Sequence, residues 1–455
     1  MTELAKRRNL LIETGRRDRS ADGPNYYRAI FPYTEVPRVT FDAATVPMNP
    51  PDELWITDTT FRDGQQSRAP YSVEQIVELY KLMSRLGGPK GVIRQCEFFL
   101  YSERDRQAVE KCRELGLAFP EITGWIRATK GDFELAKAMG LAECGILVSC
   151  SDYHIFKKLK KTRAQAMAGY LEVVRAALEL GMKPRCHFED ITRADFHGFV
   201  VPFARELQKL AEESKIDIKI RACDTLGYGV PYAGAALPRS VPGLIGGLCS
   251  CAGFTPDRLE WHGHNDFHKA VVNSTTAWLY GASGVNCSLL GIGERTGNTP
   301  LEAMVMEYAQ LRGTLDGMDT TAITDIAEYY QTELGYTVPA STPFIGSAFN
   351  TTSAGIHADG LLKDEEIYNI FDTGTLLKCP PGVAVNSTSG LAGIAVWLAR
   401  HLGLTPGAVD KNDAVVKEIK TWVDAQYAAG RVTTISPGEL AAVYDKIHMD
   451  ERRGA

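Results

Sequence analysis

From Trp55 to about residue 314, hydrophobic and polar positions follow a regular rhythm. Short runs rich in β-branched and aromatic residues predict strands over 55–61, 92–98, 120–126, 144–150, 183–189, 218–224, 259–265 and 285–292. Between them, apolar residues at three- and four-residue spacing predict amphipathic helices, for example over 73–86, 162–180 and 199–214. Eight such βα repeats fill ~260 residues, the size of a closed (β/α)8 barrel. The rival, an open doubly wound sheet, would carry a Gly-rich dinucleotide loop after its first strand, and this chain has none there. The expected fold is therefore an α/β, TIM-type barrel over 51–314. Residues 1–50 read as an N-terminal extension or arm, with Tyr26, Tyr27, Phe31, Pro32 and Tyr33 close together before Pro47, Pro50 and Pro51 break the chain. Residues 315–455 read as a mainly helical C-terminal subdomain that covers the active site.

Composition narrows the function more than the fold. The 455 residues exceed what one compact core holds, so a large domain with smaller companions is expected. A net charge of −6 disfavours nucleic acid as a partner, because phosphate contacts need a basic face. No apolar run reaches the ~20 residues a membrane helix needs, and the first 20 residues lack a signal-peptide core, which points to the cytoplasm. Ten scattered cysteines read as reduced, structural thiols; Cys249 and Cys251 alone are a weak metal pair.

Polar residues gather where the predicted strands end: Arg62 and Asp63; Glu97; Ser149, Asp152 and His154; Glu189; Thr225; His262 and His264; Glu294, Arg295 and Asn298. Barrel active sites occupy that face. In His262-Gly-His264, residues i and i+2 of a strand point to one side, so both imidazoles can converge on one ion. Barrel closure brings Asp63 and Asn298 to the same place. Two imidazoles, a carboxylate and an amide oxygen suit Mn²⁺ or Co²⁺ first, with Mg²⁺ and Zn²⁺ as further options, and such an ion polarises a carbonyl. Arg62 beside that ion would stabilise charge developing on oxygen. Glu189 is a candidate base or a structural partner of Arg193. Arg185, His187 and Glu189 share one strand face, and Arg221 lies on the next strand. These arginines make either internal salt bridges or bidentate contacts to a dicarboxylic substrate.

These motifs carry a family resemblance. Asp58-Thr-Thr-Phe-Arg62-Asp63-Gly-Gln-Gln66, Asp224-Thr-Leu-Gly-Tyr228, His262-Gly-His264-Asn265-Asp266 and Leu290-Gly-Ile-Gly-Glu-Arg-Thr-Gly-Asn298 resemble the signatures of the DRE-TIM metallolyases. Gly355-Ile-His357 is similar to the subdomain of their Claisen-condensing members, the 2-isopropylmalate and homocitrate synthases. The resemblance implies a metal bound by Asp63, His262, His264 and Asn298, with Arg62, Glu189 and His357 catalytic. It implies that Gln66, Glu97, Arg185, His187, Arg221 and Thr225 contact substrate. It also implies acetyl-CoA as substrate and a homodimer with shared active sites, His357 coming from the partner. Glu97 in Arg94-Gln-Cys-Glu97-Phe-Phe, His187 on the fifth strand and the Tyr-rich arm depart from those synthases and resemble the Re-type citrate synthase branch, acyltransferases that condense acetyl-CoA with oxaloacetate. A bulky His187 would shorten the pocket from 2-oxoglutarate to oxaloacetate. Homocitrate or 2-isopropylmalate synthesis stays open as the alternative, and a lyase like 3-hydroxy-3-methylglutaryl-CoA lyase as the alternative of another class.

Overall fold

The computed structural model describes residues 23–42, 44–126, 130–405 and 407–454. Eight parallel strands close into a barrel in chain order, with the last pairing back onto the first. They are β1 (Trp55–Asp58), β2 (Ile93–Phe99), β3 (Glu121–Ile126), β4 (Glu143–Ser149), β5 (Lys183–Glu189), β6 (Lys219–Asp224), β7 (Leu259–Gly263) and β8 (Gly284–Cys287). Helices α1 (Val73–Gly87), α2 (Glu103–Glu114), α3 (Lys130–Ala138), α4 (Arg163–Glu179), α5 (Val201–Ser214), α6 (Val241–Ala252), α7 (Ala270–Leu279) and α8 (Leu301–Arg312) alternate with them. The expected α/β barrel is therefore the fold. Ser72 with Gln75, Ser102 with Asp105 and Thr162 with Gln165 form capping boxes that fix the starts of α1, α2 and α4.

Strands buried on both faces usually read as continuous apolar runs. Here they alternate, because the lumen is charged. Ile56, Cys96, Phe98, Ile146, Val148, Phe188, Ile220, Trp261 and Val285 are fully buried on one strand face. The opposite positions place Glu97, Glu143 and Glu260 against Arg185, Lys219 and Arg221. Arg185 donates to Glu97 at 2.6 Å, Glu143 at 2.7 Å and Gln95 at 3.0 Å. Arg221 bonds Glu97 at 3.1 Å and Glu260 at 3.0 Å, and Lys219 bonds Glu143 at 2.7 Å. Three carboxylates match three cations, as a buried charge layer requires if desolvation is to be offset. Gly145 on β4 makes room for it: a Cβ there would lie 2.7 Å from His187 Nε2 and 2.9 Å from Glu97 Oε1.

Three strands end two or more residues before their sequence pattern; β1 stops at Asp58, where the turn carrying Asp63 begins. β7 stops at Gly263 and β8 at Cys287, because the 288–300 loop folds back and takes over the bonding. His264 bridges Asn298, Asn265 N–H donates to Gly297 and Thr299 N–H to Gly263.

The described part of the arm packs on its own barrel. Tyr153 Oη donates to the Tyr26 carbonyl at 2.7 Å, Arg239 to the Arg38 carbonyl at 2.6 Å, and Phe41 bridges Ala235. Residues 1–22 and 43 of the expected arm lie outside the described residues.

The chain divides into two compact units, Met1–Asp319 and Thr320–Ala455. The second holds α9 (Ala322–Thr332), α10 (Gly355–Lys363), α11 (Thr373–Leu377), α12 (Leu391–His401), α13 (Ala414–Ala428), α14 (Pro437–Gly454) and a two-stranded β9–β10 ladder (Thr351–Thr352 with Gly382–Val383). Ile394, Leu398, Val416, Ile419, Val423 and Leu440 form its core. Among the described residues, no helix is long and apolar enough to cross a membrane.

Candidate active site and metal centre

Asp63 follows β1 in a turn whose amides bond the Thr59 carbonyl. His262 lies on β7 and His264 just beyond it. Barrel closure brings the three together, with donor atoms within 4.8 Å of one another. His262 Nε2 and His264 Nε2 are 3.1 Å apart, and Asp63 Oδ2 is 3.8 Å and 3.9 Å from them. Among the described residues, this is the group of His, Cys, Asp or Glu side chains arranged to hold a metal.

The donor chemistry fits a divalent ion. Asn286 Oδ1, 2.7 Å from His262 Nδ1, fixes the tautomer with Nδ1 protonated and leaves the Nε2 lone pair facing His264. Burial holds both imidazoles below the usual histidine range, His264 to about 4 with help from its neighbour His262, so both are neutral ligands. Burial alone would raise Asp63, but the Arg62 guanidinium at 2.6 Å prevails and holds the carboxyl at about 2. Asn298 donates to Asp63 at 2.8 Å, while its buried Oδ1 has no hydrogen-bond partner among the described residues. Two neutral imidazoles, one carboxylate and a free amide oxygen form a set that a cation completes.

The three donors line a cavity of about 230 Å³ at the barrel mouth, together with Arg62, Gln66, His187, Glu189, Arg221 and Thr225. The Arg62 guanidinium lies 4.6 Å from the Trp125 ring centre, with its Nε buried, without a hydrogen bond among the described residues and 3.9 Å from Glu97 Oε2. Arg221 also presents an unpartnered Nε. Burial and Arg221 lower His187 well below its usual range, so it is neutral. Glu189 accepts from Ser149, from His154 at 2.8 Å and from Lys158 at 3.3 Å. Burial opposes these contacts but they prevail, and the carboxyl titrates at about 2. The alternative partner, Arg193, bonds Asp190 instead.

Arg185 and Glu97 correct the sequence expectation. Both are buried beneath the cavity, 0% and 1% exposed, and neither lines it. The Arg185 guanidinium is consumed by Glu97, Glu143, Gln95 and Thr123, and Glu97 by the two arginines, so neither has a group left for a substrate. His357 lies in the second unit on α10, its Nδ1 3.0 Å from Thr352 Oγ1 and its ring 4.5 Å from Tyr368.

Sequence reasoning missed Trp125, Asn286 and the role of His154. Trp125 and Asn286 sit within strand patterns that carry no catalytic signature. His154 was visible as a strand-end polar residue, but only the fold brings it to Glu189.

Four similarities to known proteins bear on this site. Residues 53–329 match the HMGL-like family model. A "Citrate (Re)-synthase" of Syntrophus aciditrophicus (strain SB) is 57% identical over 93% of this chain and 68% of its own length. One of the same name from Clostridium kluyveri is 55% identical over 94% of this chain and 95% of its own. In fold, the chain resembles hydroxymethylglutaryl-CoA lyase from Pseudomonas aeruginosa, with a TM-score of 0.51 at 20% identity, over 64% of this chain and 96% of that one.

Proposed function

This chain belongs to the HMGL-like family, and we propose that it condenses acetyl-CoA with oxaloacetate and water to give citrate and CoA. The observation that carries this reading is the convergence of Asp63, His262 and His264 on the floor of a small cavity beside Arg62 and Glu189. The two relatives at 55% and 57% identity support citrate as the product.

A divalent ion held by Asp63, His262 and His264, with Asn298 directly or through water, would polarise the 2-oxo carbonyl. Arg62 supplies a fixed guanidinium donor where that oxygen gains charge. We assign Arg221, Thr225 and Gln66 to the substrate carboxylates; that all three line the cavity supports this. His187 reduces the depth of the cavity, favouring the shorter diacid.

Glu189 is ionised at all working pH values, and a carboxylate held near 2 is a weak base. Its part is to orient and stabilise an imidazolium while an imidazole takes the proton from the acetyl methyl group. His357 of the partner subunit is our assignment for that imidazole, in a homodimer with shared active sites. The carbanion attacks the carbonyl carbon, and water then cleaves the thioester, releasing the CoA thiol.

Free-thiol release with oxaloacetate, 2-oxoglutarate and 2-oxoisovalerate, with Mn²⁺ supplied, tests the reading. Oxaloacetate should be the preferred acceptor, and a chelator should abolish turnover. Preference for either other acid would reassign the chain to homocitrate or 2-isopropylmalate synthesis. Release of acetyl-CoA without an acceptor would make it a lyase. We assign Mn²⁺ or Co²⁺ as the working ion and the cytoplasm as its place.

A further inference from the structure

We propose that the N-terminal arm and the turn after β4 form the seat for the adenosine 3′,5′-phosphate end of CoA. This rests on the condensing function above and adds a binding site to it. The central cavity, of about 230 Å³, is lined by the three metal donors, Arg62 and Glu189. It takes a short diacid and an acyl group, so the nucleotide end of CoA rests outside it.

A second cavity, of about 200 Å³, is lined by Arg28, Phe31, Tyr33, Tyr153, Arg193 and Tyr228 among others. Consecutive residues join the two: Tyr153 lines the second cavity, while His154 contacts Glu189 in the first. Arg193 bonds Asp190, whose amide donates to Thr225 in the first cavity at 2.8 Å. An aromatic wall beside a small cavity suits a flat base, because every base offers a π-face to stack.

The rim carries more cations than carboxylates in an acidic chain; among the described residues its one lining carboxylate, Glu35, is paired with Arg38 at 2.5 Å. The Arg28 guanidinium lies 5.6 Å from both the Tyr26 and Tyr153 ring centres. Lys157 Nζ lies 4.7 Å and 5.4 Å from the same two rings. Lys160 and Lys161 follow, exposed, on the same turn. Among the described residues, none of these four cations has a carboxylate partner, whereas Lys158 between them is tied to Glu189. Cations left unpaired beside an aromatic slot attract a phosphorylated nucleoside.

The test uses the full chain and adenosine 3′,5′-bisphosphate as the probe. Calorimetry should detect binding to the wild type, weakened about tenfold or more in Arg28→Ala/Lys157→Ala, since each surface charge contact contributes modestly. In turnover, the bisphosphate should compete with acetyl-CoA. The double variant should show a raised KM for acetyl-CoA, about tenfold, larger than any fall in kcat. The KM for 3′-dephospho-acetyl-CoA should exceed that for acetyl-CoA in the wild type. Absence of bisphosphate binding, equal binding by the variant, or inhibition non-competitive with acetyl-CoA (a separate effector site) overturns the proposal. A chain that binds the bisphosphate yet condenses nothing would sink the function and leave the nucleotide site standing.

Discussion

In the lower layer of the barrel, Arg185, Lys219 and Arg221 meet Glu97, Glu143 and Glu260; at the mouth, Arg62 meets Asp63 beside two neutral imidazoles. The residue types are the same, but the accounting differs. Below, every carboxylate faces a cation from another strand, and the guanidinium of Arg185 is fully engaged. Above, Arg221 Nε, His264 Nδ1 and Asn298 Oδ1 are buried without a hydrogen-bond partner among the described residues, and Arg62 Nε makes no hydrogen bond, its nearest carboxylate oxygen being Glu97 Oε2 at 3.9 Å. A buried polar group left unpaired costs free energy, so a cluster of them at one end of a barrel marks where a ligand completes the bonding. Arg221 spans both regions. Its Nη atoms seal the lower layer, while the residue also lines the cavity.

The sealed layer gives the largest expected effect. Arg185→Met strips Glu97 and Glu143 of a counter-charge and should cost about 3–5 kcal/mol of stability, read from urea unfolding. A loss below about 1 kcal/mol would mean that the lower layer is not the matched network described here.

Glu302 on α8 sharpens the contrast, as a buried carboxyl with no cation paired to it among the described residues. It accepts from the Leu290 amide under the loop that carries Asn298. Burial raises it from its ordinary 4.5 to about 7, its hydrogen bonds opposing only in part. The folded chain therefore holds a proton that the unfolded chain has lost, so stability present below 4.5 declines as pH rises through 7. Glu302→Gln should remove this decline, a gain at pH 8 relative to wild type of up to about 3 kcal/mol. Parallel stability curves from pH 5 to 8 would contradict it.

At the mouth, Arg62→Ala should lower turnover about 10²-fold, the scale of one oxyanion donor, with the fold intact. A threefold loss or less would remove Arg62 from the chemistry. Asn286→Ala frees the His262 tautomer and should weaken divalent-ion affinity roughly 10–100-fold, measured by metal titration. Unchanged affinity would show that the two histidines do not share an ion. The smallest effect tests pocket depth: His187→Ser should raise use of 2-oxoglutarate relative to oxaloacetate by roughly tenfold, and an unchanged ratio would remove the size argument.

The alternation along the strands, the eight-fold repeat and the strand-end motifs carried the barrel and the Asp63–His262–His264 group. Each is local: a two-residue period aims side chains, and closure of the repeat implies which strand ends meet. Arg185 shows where local reading stops. From its strand position it could equally be sealed in the lumen or reach a substrate, and only the depth at which β2, β4 and β5 align against each other buries it among Glu97, Glu143 and Gln95. The same holds for Asn286 behind His262, His154 against Glu189, and the arm that lies on its own rim.

The sequence by itself thus determined the fold class and the atoms able to hold an ion, because both follow from periodicity and residue chemistry. Tertiary structure alone decided which charges are matched and which remain open, because that depends on distances between strands and loops far apart in the chain.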